Sequence, residues 1–445
     1  MRRSGSLVLR GGAVLAGCLA LVLPGAVPAA ADDIRFDQYW LDEYGVTEAW
    51  AASQGEGVTV AVIDSGVDGS HPDLLGAVID GTDVSGAGGP TGQLGIGEVP
   101  SHGTLVSTLL AGRGHAAATG PGAADRFGHG PDGIVGVAPK ADLLAVSIWV
   151  DGPSGGPNPA GVPVEDQVPE AVMWAVDHGA DVINMSLGST DPVWPASWDD
   201  AFLHAEENDV VIVAAAGNRA GGLMQVGAPA TIPGVLAVAG LDRSGSASSE
   251  ASSEGISVGV AAPSEDLIGG MPGGLYADWS GTSGSAPLVA GVAALIRSEH
   301  PELSAAEVVN RIVDTARDAG PPGFDTLYGY GVLDAAAAVG EDITVPAENR
   351  LGSMAEWIHL YRRGEPSAEA APERSEQQPG PTAALPAPAA PAAVDPDPAP
   401  DPLPGVIVLG AGGLLLTALL GGTLHVLRVR RRMARAGTPP PSPPT

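Results

Sequence analysis

Short apolar runs rich in β-branched residues recur along the chain: VTVAVID (Val58–Asp64), LLAVSIWV (Leu143–Val150), DVINMSL (Asp181–Leu187), VVIVAAAG (Val210–Gly217) and VLAVAG (Val235–Gly240). Nearly continuous apolar character, without regular alternation, is the pattern of parallel strands covered on both faces. Segments of helical spacing lie between them. VEDQVPEAVMWAVDHGA carries apolar residues at Val168, Val172, Ala175 and Val176. SWDDAFLHAEEND opens on Ser197 as an expected cap and is acidic in its first turn. The alternation, from about Ile34 to Val345, predicts an α/β fold with a mostly parallel sheet between layers of helices. In such sheets chemistry collects at the carboxyl ends of the strands.

The pattern changes at both ends. Val406–Leu427 is a 22-residue run whose one titratable residue is His425. At about 1.5 Å per residue it spans a bilayer core of ~30 Å. The arginines that follow, Arg428 to Arg435, predict a cytoplasmic tail. The first residues are basic, then apolar, then small, the order of a secretory signal cleaved near Ala31. Before the apolar run lies a stretch of proline, alanine and acid that cannot build a core. The expected organisation is therefore a signal peptide (1–31), an amino-terminal extension (32–56) and a folded domain (57–346). A linker (347–403), a transmembrane helix (404–427) and a basic tail (428–445) follow. The folded domain is expected outside the cell, held to the membrane by a single span. MAEWIHLYRR, Met354–Arg363, is a short amphipathic piece that can dock on the domain or on a partner.

Charge sharpens this division. The chain carries 52 acids against 21 lysines and arginines, a net charge of −31. Residues 1–31 and 404–445 hold bases and no acids, so the central part is more acidic still. Such a surface repels nucleic acid and anionic lipid. The one cysteine, Cys18, lies in the expected signal, so no disulfide is expected in the mature chain.

Three residues combine into candidate chemistry. Asp64 ends the first apolar strand and leads into a glycine turn. His102, in SHGTLVSTLLAG, opens a helical pattern, from which its ring can reach a strand-end crevice. An acid there would fix its tautomer and stabilise the imidazolium. Ser283, in SGTSGSAPLVAG, begins another helical pattern. It can cap that helix, or act as a nucleophile beside backbone N–H groups that hold an oxyanion. An esterase-type G-x-S-x-G elbow fails, because Ser285 stands at its last position.

The order Asp64, His102, Ser283 is that of the subtilisins. The chain resembles the subtilisin-like serine proteases in VAVIDSGVD, SHGTLVSTLLAG and GTSGSAPLVAGVAALI, and also in VINMSLGS, AAAGN and YGYGVLDAAAAV. The resemblance runs from about Val58 to Val339. It implies the subtilisin-like three-layer fold and peptide-bond hydrolysis through an acyl-enzyme. It makes Ser283 the nucleophile, His102 the base and Asp64 its orienting acid. It implies that the Asn218 amide donates to the oxyanion. Ser186, Leu187 and Gly188, and Ala215, Ala216 and Gly217, would flank an extended substrate.

No cofactor is certain. The resemblance admits a structural calcium ion, but no acidic loop identifies ligands for it. The residue after the nucleophile, usually bulky, is Gly284, which implies a looser wall behind the serine. Gly114–Gly133 reads as an inserted, glycine-rich surface loop near the cleft; its His115 and His129 raise the question of a metal, but its composition favours nothing specific. The stretch from Asp32 to Val58 is too short for the usual inhibitory prodomain. With the signal, linker and single anchor, this resembles the mycosins, membrane-anchored proteases of type VII secretion systems, although mycosins commonly carry disulfides. The expected partners are protein or peptide substrates, the membrane and type VII secretion membrane components, with no nucleic acid. The other readings are a structural subunit of a secretion complex and a general surface protease.

Overall fold

The computed structural model describes residues 31–116, 130–150 and 156–362. The expected signal peptide up to Ala30, the stretch from 363 onward with the expected transmembrane helix, and His129 lie outside the described residues. Among the described residues no helix is long and apolar enough to cross a membrane.

Three short helices come first, α1 (Ala31–Phe36), α2 (Trp40–Glu43) and α3 (Val46–Ala49). The central sheet is built from β1 (Thr59–Asp64), β2 (Val78–Asp83), β5 (Asp142–Ser147), β6 (Val182–Met185), β7 (Val211–Ala215), β8 (Leu236–Leu241) and β9 (Val258–Pro263). Two antiparallel pairs stand apart from it: β3 (Arg113–His115) with β4 (Asp132–Val135), and β10 (Leu267–Met271) with β11 (Leu275–Trp279). The remaining helices are α4 (His102–Ala111), α5 (Val164–Asp177), α6 (Asp199–Glu207), α7 (Thr282–Glu299), α8 (Ala305–Asp314), α9 (Ala335–Gly340) and α10 (Met354–Tyr361).

The seven-stranded sheet has the order β2-β5-β1-β6-β7-β8-β9, and every pairing in it is parallel. Every residue of β6 to β9 is buried, so helices cover both faces, as the apolar runs predict. Helices α4 and α7 pack on one another and on the sheet; α5 and α6 form the second packed pair. The chain builds β2 and β5 on one side of β1, then crosses to β6 and continues outward. The order therefore reverses around β1, whose last residue is Asp64, the kind of crevice where open α/β sheets bind ligands.

Two helices carry an internal proline whose loss of an N–H is compensated from outside. Pro169 in α5 cannot donate to the carbonyl of Glu165; the indole N–H of Trp198 donates to it instead, at 2.8 Å. Pro287 in α7 likewise leaves the carbonyl of Ser283 without its helical donor. The hydroxyl of Ser186 supplies one at 2.8 Å. The expected cap of α6 is not formed. Ser197 lies inside a 3₁₀ turn, Ala196–Trp198, and Trp198 occupies the cap position without a side-chain bond.

The amino-terminal extension is part of the packed body. Trp40, Leu41, Tyr44, Val46 and Ala49 are buried in the same core as the sheet. Gln38 exchanges two hydrogen bonds with the backbone of Val135, and the Trp50 indole donates to the carbonyl of Val137. At the other end, packing continues beyond residue 346, into the stretch assigned by composition to the linker. Asn310 donates to the carbonyls of Pro346 and Glu348, Met354 is buried, and α10 lies on α6. Trp357 stacks at a tilt on Trp194, 4.6 Å between centroids, and Arg362 pairs with Asp199 at 2.7 Å. The amphipathic piece thus docks on the domain. Composition missed this because a few apolar anchors suffice to hold a short segment.

Candidate active site

Asp64 is buried at the carboxyl end of β1. One carboxylate oxygen accepts the backbone N–H of Ser65 at 2.6 Å, and both lie within reach of His102 Nδ1, at 2.8 and 3.0 Å. The Ser65 hydroxyl accepts the N–H of Gly103, tying the start of α4 to the same turn. Burial pushes the imidazole of His102 down, but the charge and hydrogen bond of Asp64 outweigh it and hold its pKa above the ordinary histidine value. With Nδ1 bonded to the carboxylate, Nε2 is left to exchange a proton.

Ser283 is the second residue of α7. The cap position is Gly281, which has no side chain to bond the helix end, and Ser283 lies inside the helix, so the capping role does not apply to it. Its hydroxyl points to the carbonyl of Ser186 at 3.3 Å. The adjacent serines differ. Ser285 is fully buried and donates to the backbone carbonyls of Ala262 and Pro263, and Ser280 is exposed before the turn. Of the three, Ser283 alone lies partly open against the Ser186 strand end.

Asn218 follows β7 and faces the same helix start. Its Oδ1 accepts the backbone N–H of Thr282 at 2.8 Å and the Thr282 hydroxyl at 3.0 Å. A backbone N–H can only donate, so the oxygen of the amide must face Thr282 and the NH₂ is free to donate elsewhere. The Thr282 hydroxyl in turn accepts the N–H of Gly217. Gly281 adopts φ +150°, and a Cβ there would stand 3.0 Å from Asn218 Nδ2, so glycine allows the amide this close.

The expected substrate-flanking segments frame this centre. Ser186 is bonded twice to Ser283, and the Asn184 amide donates to the Ser186 hydroxyl at 3.0 Å. Leu187 and Gly188 line a pocket of about 190 Å³ beside Asp64 and His102, completed by Ile96, Val99 and Val150. Ala215 and Ala216 are buried at the end of β7.

Gly284 does not produce a loose wall. A Cβ there would stand 2.3 Å from Leu267 Cδ1, 3.4 Å from the Trp279 ring and 3.5 Å from Leu109 Cδ1. Those side chains take the space that a bulkier residue would occupy. Trp279 also meets His102 edge to face, 5.8 Å between centroids at 80°. Sequence reasoning missed Trp279, which lies in a short hairpin strand without apolar periodicity.

His115 has a structural partner. It sits in β3 and its Nδ1 lies 2.6 Å from Asp73, which is fully buried and also accepts from the N–H of Ile134 and the Tyr276 hydroxyl. Nearby, His71 accepts the Asp73 N–H at Nδ1 and lies 3.2 Å from the carbonyl of Leu275 at Nε2. That arrangement suits the neutral ring, and burial lowers its pKa. The ends of the expected surface loop are therefore paired and anchored. Among the described residues no group of three or more histidine, cysteine or acidic side chains is arranged to hold a metal ion.

The profile of the Peptidase S8 subtilase family matches residues 55–331. The chain is 35% identical over 346 residues to fervidolysin of Fervidobacterium pennivorans, covering 71% of this chain and 46% of that protein. It is 33% identical over 305 residues to subtilisin E of Bacillus subtilis (strain 168), covering 66% and 70%. The crystal structure of MycP1 from the ESX-1 type VII secretion system superposes with a TM-score of 0.55 at 28% identity, covering 71% of this chain and 88% of that one. The chain thus spans about half the length of fervidolysin and most of that of MycP1. It belongs to the subtilase family of serine proteases.

Proposed function

We propose that the protein is a membrane-anchored, extracellular serine endopeptidase that hydrolyses peptide bonds through an acyl-enzyme on Ser283. The observation that carries this reading is the hydrogen-bonded pair Asp64–His102 at the strand end where the sheet order reverses. His102 Nε2 takes the proton of Ser283 as its oxygen attacks, and Asp64 stabilises the imidazolium. The hydroxyl of Ser283 must first leave the Ser186 carbonyl, since no hydrogen bond joins it to His102 in this structure. The Asn218 NH₂ and the Ser283 N–H, one of the first helical N–H groups without an intrahelical acceptor, stabilise the oxyanion. Ser186–Gly188 and Ala215–Gly217 flank the extended substrate.

The signal-like start, the apolar run 404–427 and the arginines after it support a single-pass anchor with the catalytic domain outside. The likeness to MycP1 supports a place beside type VII secretion components. Chromosomal replacement tests both parts. Ser283→Ala should abolish processing of a secreted substrate. If Ser283→Ala leaves secretion and processing intact while deletion of the chain stops secretion, the protein serves as a structural subunit.

A further inference from the structure

The attacked carbonyl must lie at Ser283 with its oxygen toward Asn218. The side chain on the acyl side of the scissile bond then enters between Ser186–Gly188 and Ala215–Gly217. That gap is closed. A Cβ built on Gly188 would stand 3.7 Å from Gly217 Cα and 3.4 Å from Leu223 Cδ1. One built on Gly217 would stand 3.0 Å from Leu223 Cδ1 and 3.3 Å from Leu223 Cβ. Carbon atoms in contact sit about 3.5–4.0 Å apart, so Leu223 Cδ1 lies against both glycine positions and takes up the space between them. A planar ring or branched chain has no layer of space left.

Leu223 is held in this position by the backbone. After the 3₁₀ turn Arg219–Gly221, Gly222 takes φ +88° and reverses the chain. The Leu223 N–H then donates to the carbonyl of Asn218 at 3.1 Å. Its own carbonyl accepts the hydroxyl of Ser253, whose N–H is bonded to the carbonyl of Gly217 at 2.7 Å. One serine thus ties Leu223 to the wall of the slot.

We propose that Leu223 is a specificity-determining residue that closes the slot between Gly188 and Gly217 and restricts the residue on the acyl side of the scissile bond to glycine or alanine. This rests on the reading of Ser283 as nucleophile. The test uses the full-length chain and a series of tetrapeptide p-nitroanilides differing only in that residue: Ala, Leu or Phe. The wild-type protein should prefer Ala over Phe in kcat/KM by roughly 100-fold or more. Leu223→Ala should raise the Phe/Ala ratio at least about tenfold, and Leu223→Val by less. A fluorophosphonate label on Ser283 is measured in parallel for each variant. Label with unchanged ratios in both variants, or a wild-type protein that cleaves Phe as well as Ala, overturns this inference and leaves the nucleophile standing. A folded chain with neither label nor cleavage overturns the proposed activity and the inference with it.

Discussion

Ser186 and Ser283 are tied to each other in both directions: the hydroxyl of each donates to the backbone carbonyl of the other, at 2.8 and 3.3 Å. The first bond replaces the helical donor that Pro287 removes. Ser186→Ala would therefore leave the Ser283 carbonyl and the Asn184 amide each short of a partner. The expected cost is about 1–3 kcal/mol, read as a lowered unfolding midpoint, together with a fall in kcat.

Asn218 tests the oxyanion site. Asn218→Ala should lower kcat roughly 10²- to 10³-fold with little change in KM, the magnitude known for such donors in subtilisins. Steady-state kinetics on a single peptide substrate would measure it. An equal rise in KM at constant kcat would point to a substrate-binding role instead.

His102 must be neutral to accept a proton, and Asp64 raises its pKa. Activity should therefore fall as the pH drops through a value above that of an ordinary histidine. Asp64→Asn should move this limb to lower pH and reduce kcat by roughly 10⁴-fold, as in other triads. Linkage gives an independent check on stability. A raised folded-state pKa contributes stability that is complete below the unfolded histidine value and fades as pH rises through the folded one. Asp64→Asn should lose stability most on the acid side of that window.

Gly284 belongs to a packed contact with Leu267 and Trp279. Gly284→Met should destabilise the fold by about 1–3 kcal/mol through overpacking. Adding Leu267→Ala should recover part of that loss, a coupling of about 0.5–3 kcal/mol measurable by a double-mutant cycle in thermal unfolding. Additive losses would mean that Leu267 does not fill this space.

The frame of this site was legible because burial and strand-end geometry leave marks on sequence. The apolar runs mark β1, β5, β6, β7 and β8, and Asp64, at the end of one of them, lies against His102 as expected. Other features depend on contacts between distant segments. Leu223 follows a glycine-rich turn and carries no periodicity. Its role arises only when Ser253 draws that turn against Gly217. The wall behind Ser283 is supplied by Leu267 and Trp279, so Gly284 alone suggested an opening that does not exist. Asp73 and His115 lie in different segments, and only the fold brings them to 2.6 Å.

The most direct test of the account is labelling of the folded full-length chain with a fluorophosphonate, followed by peptide mapping, with His102→Ala as control. The account predicts one adduct, on Ser283, that disappears in the control. An adduct on Ser280 or Ser285, label on Ser283 undiminished by loss of His102, or no label on the folded protein would contradict it.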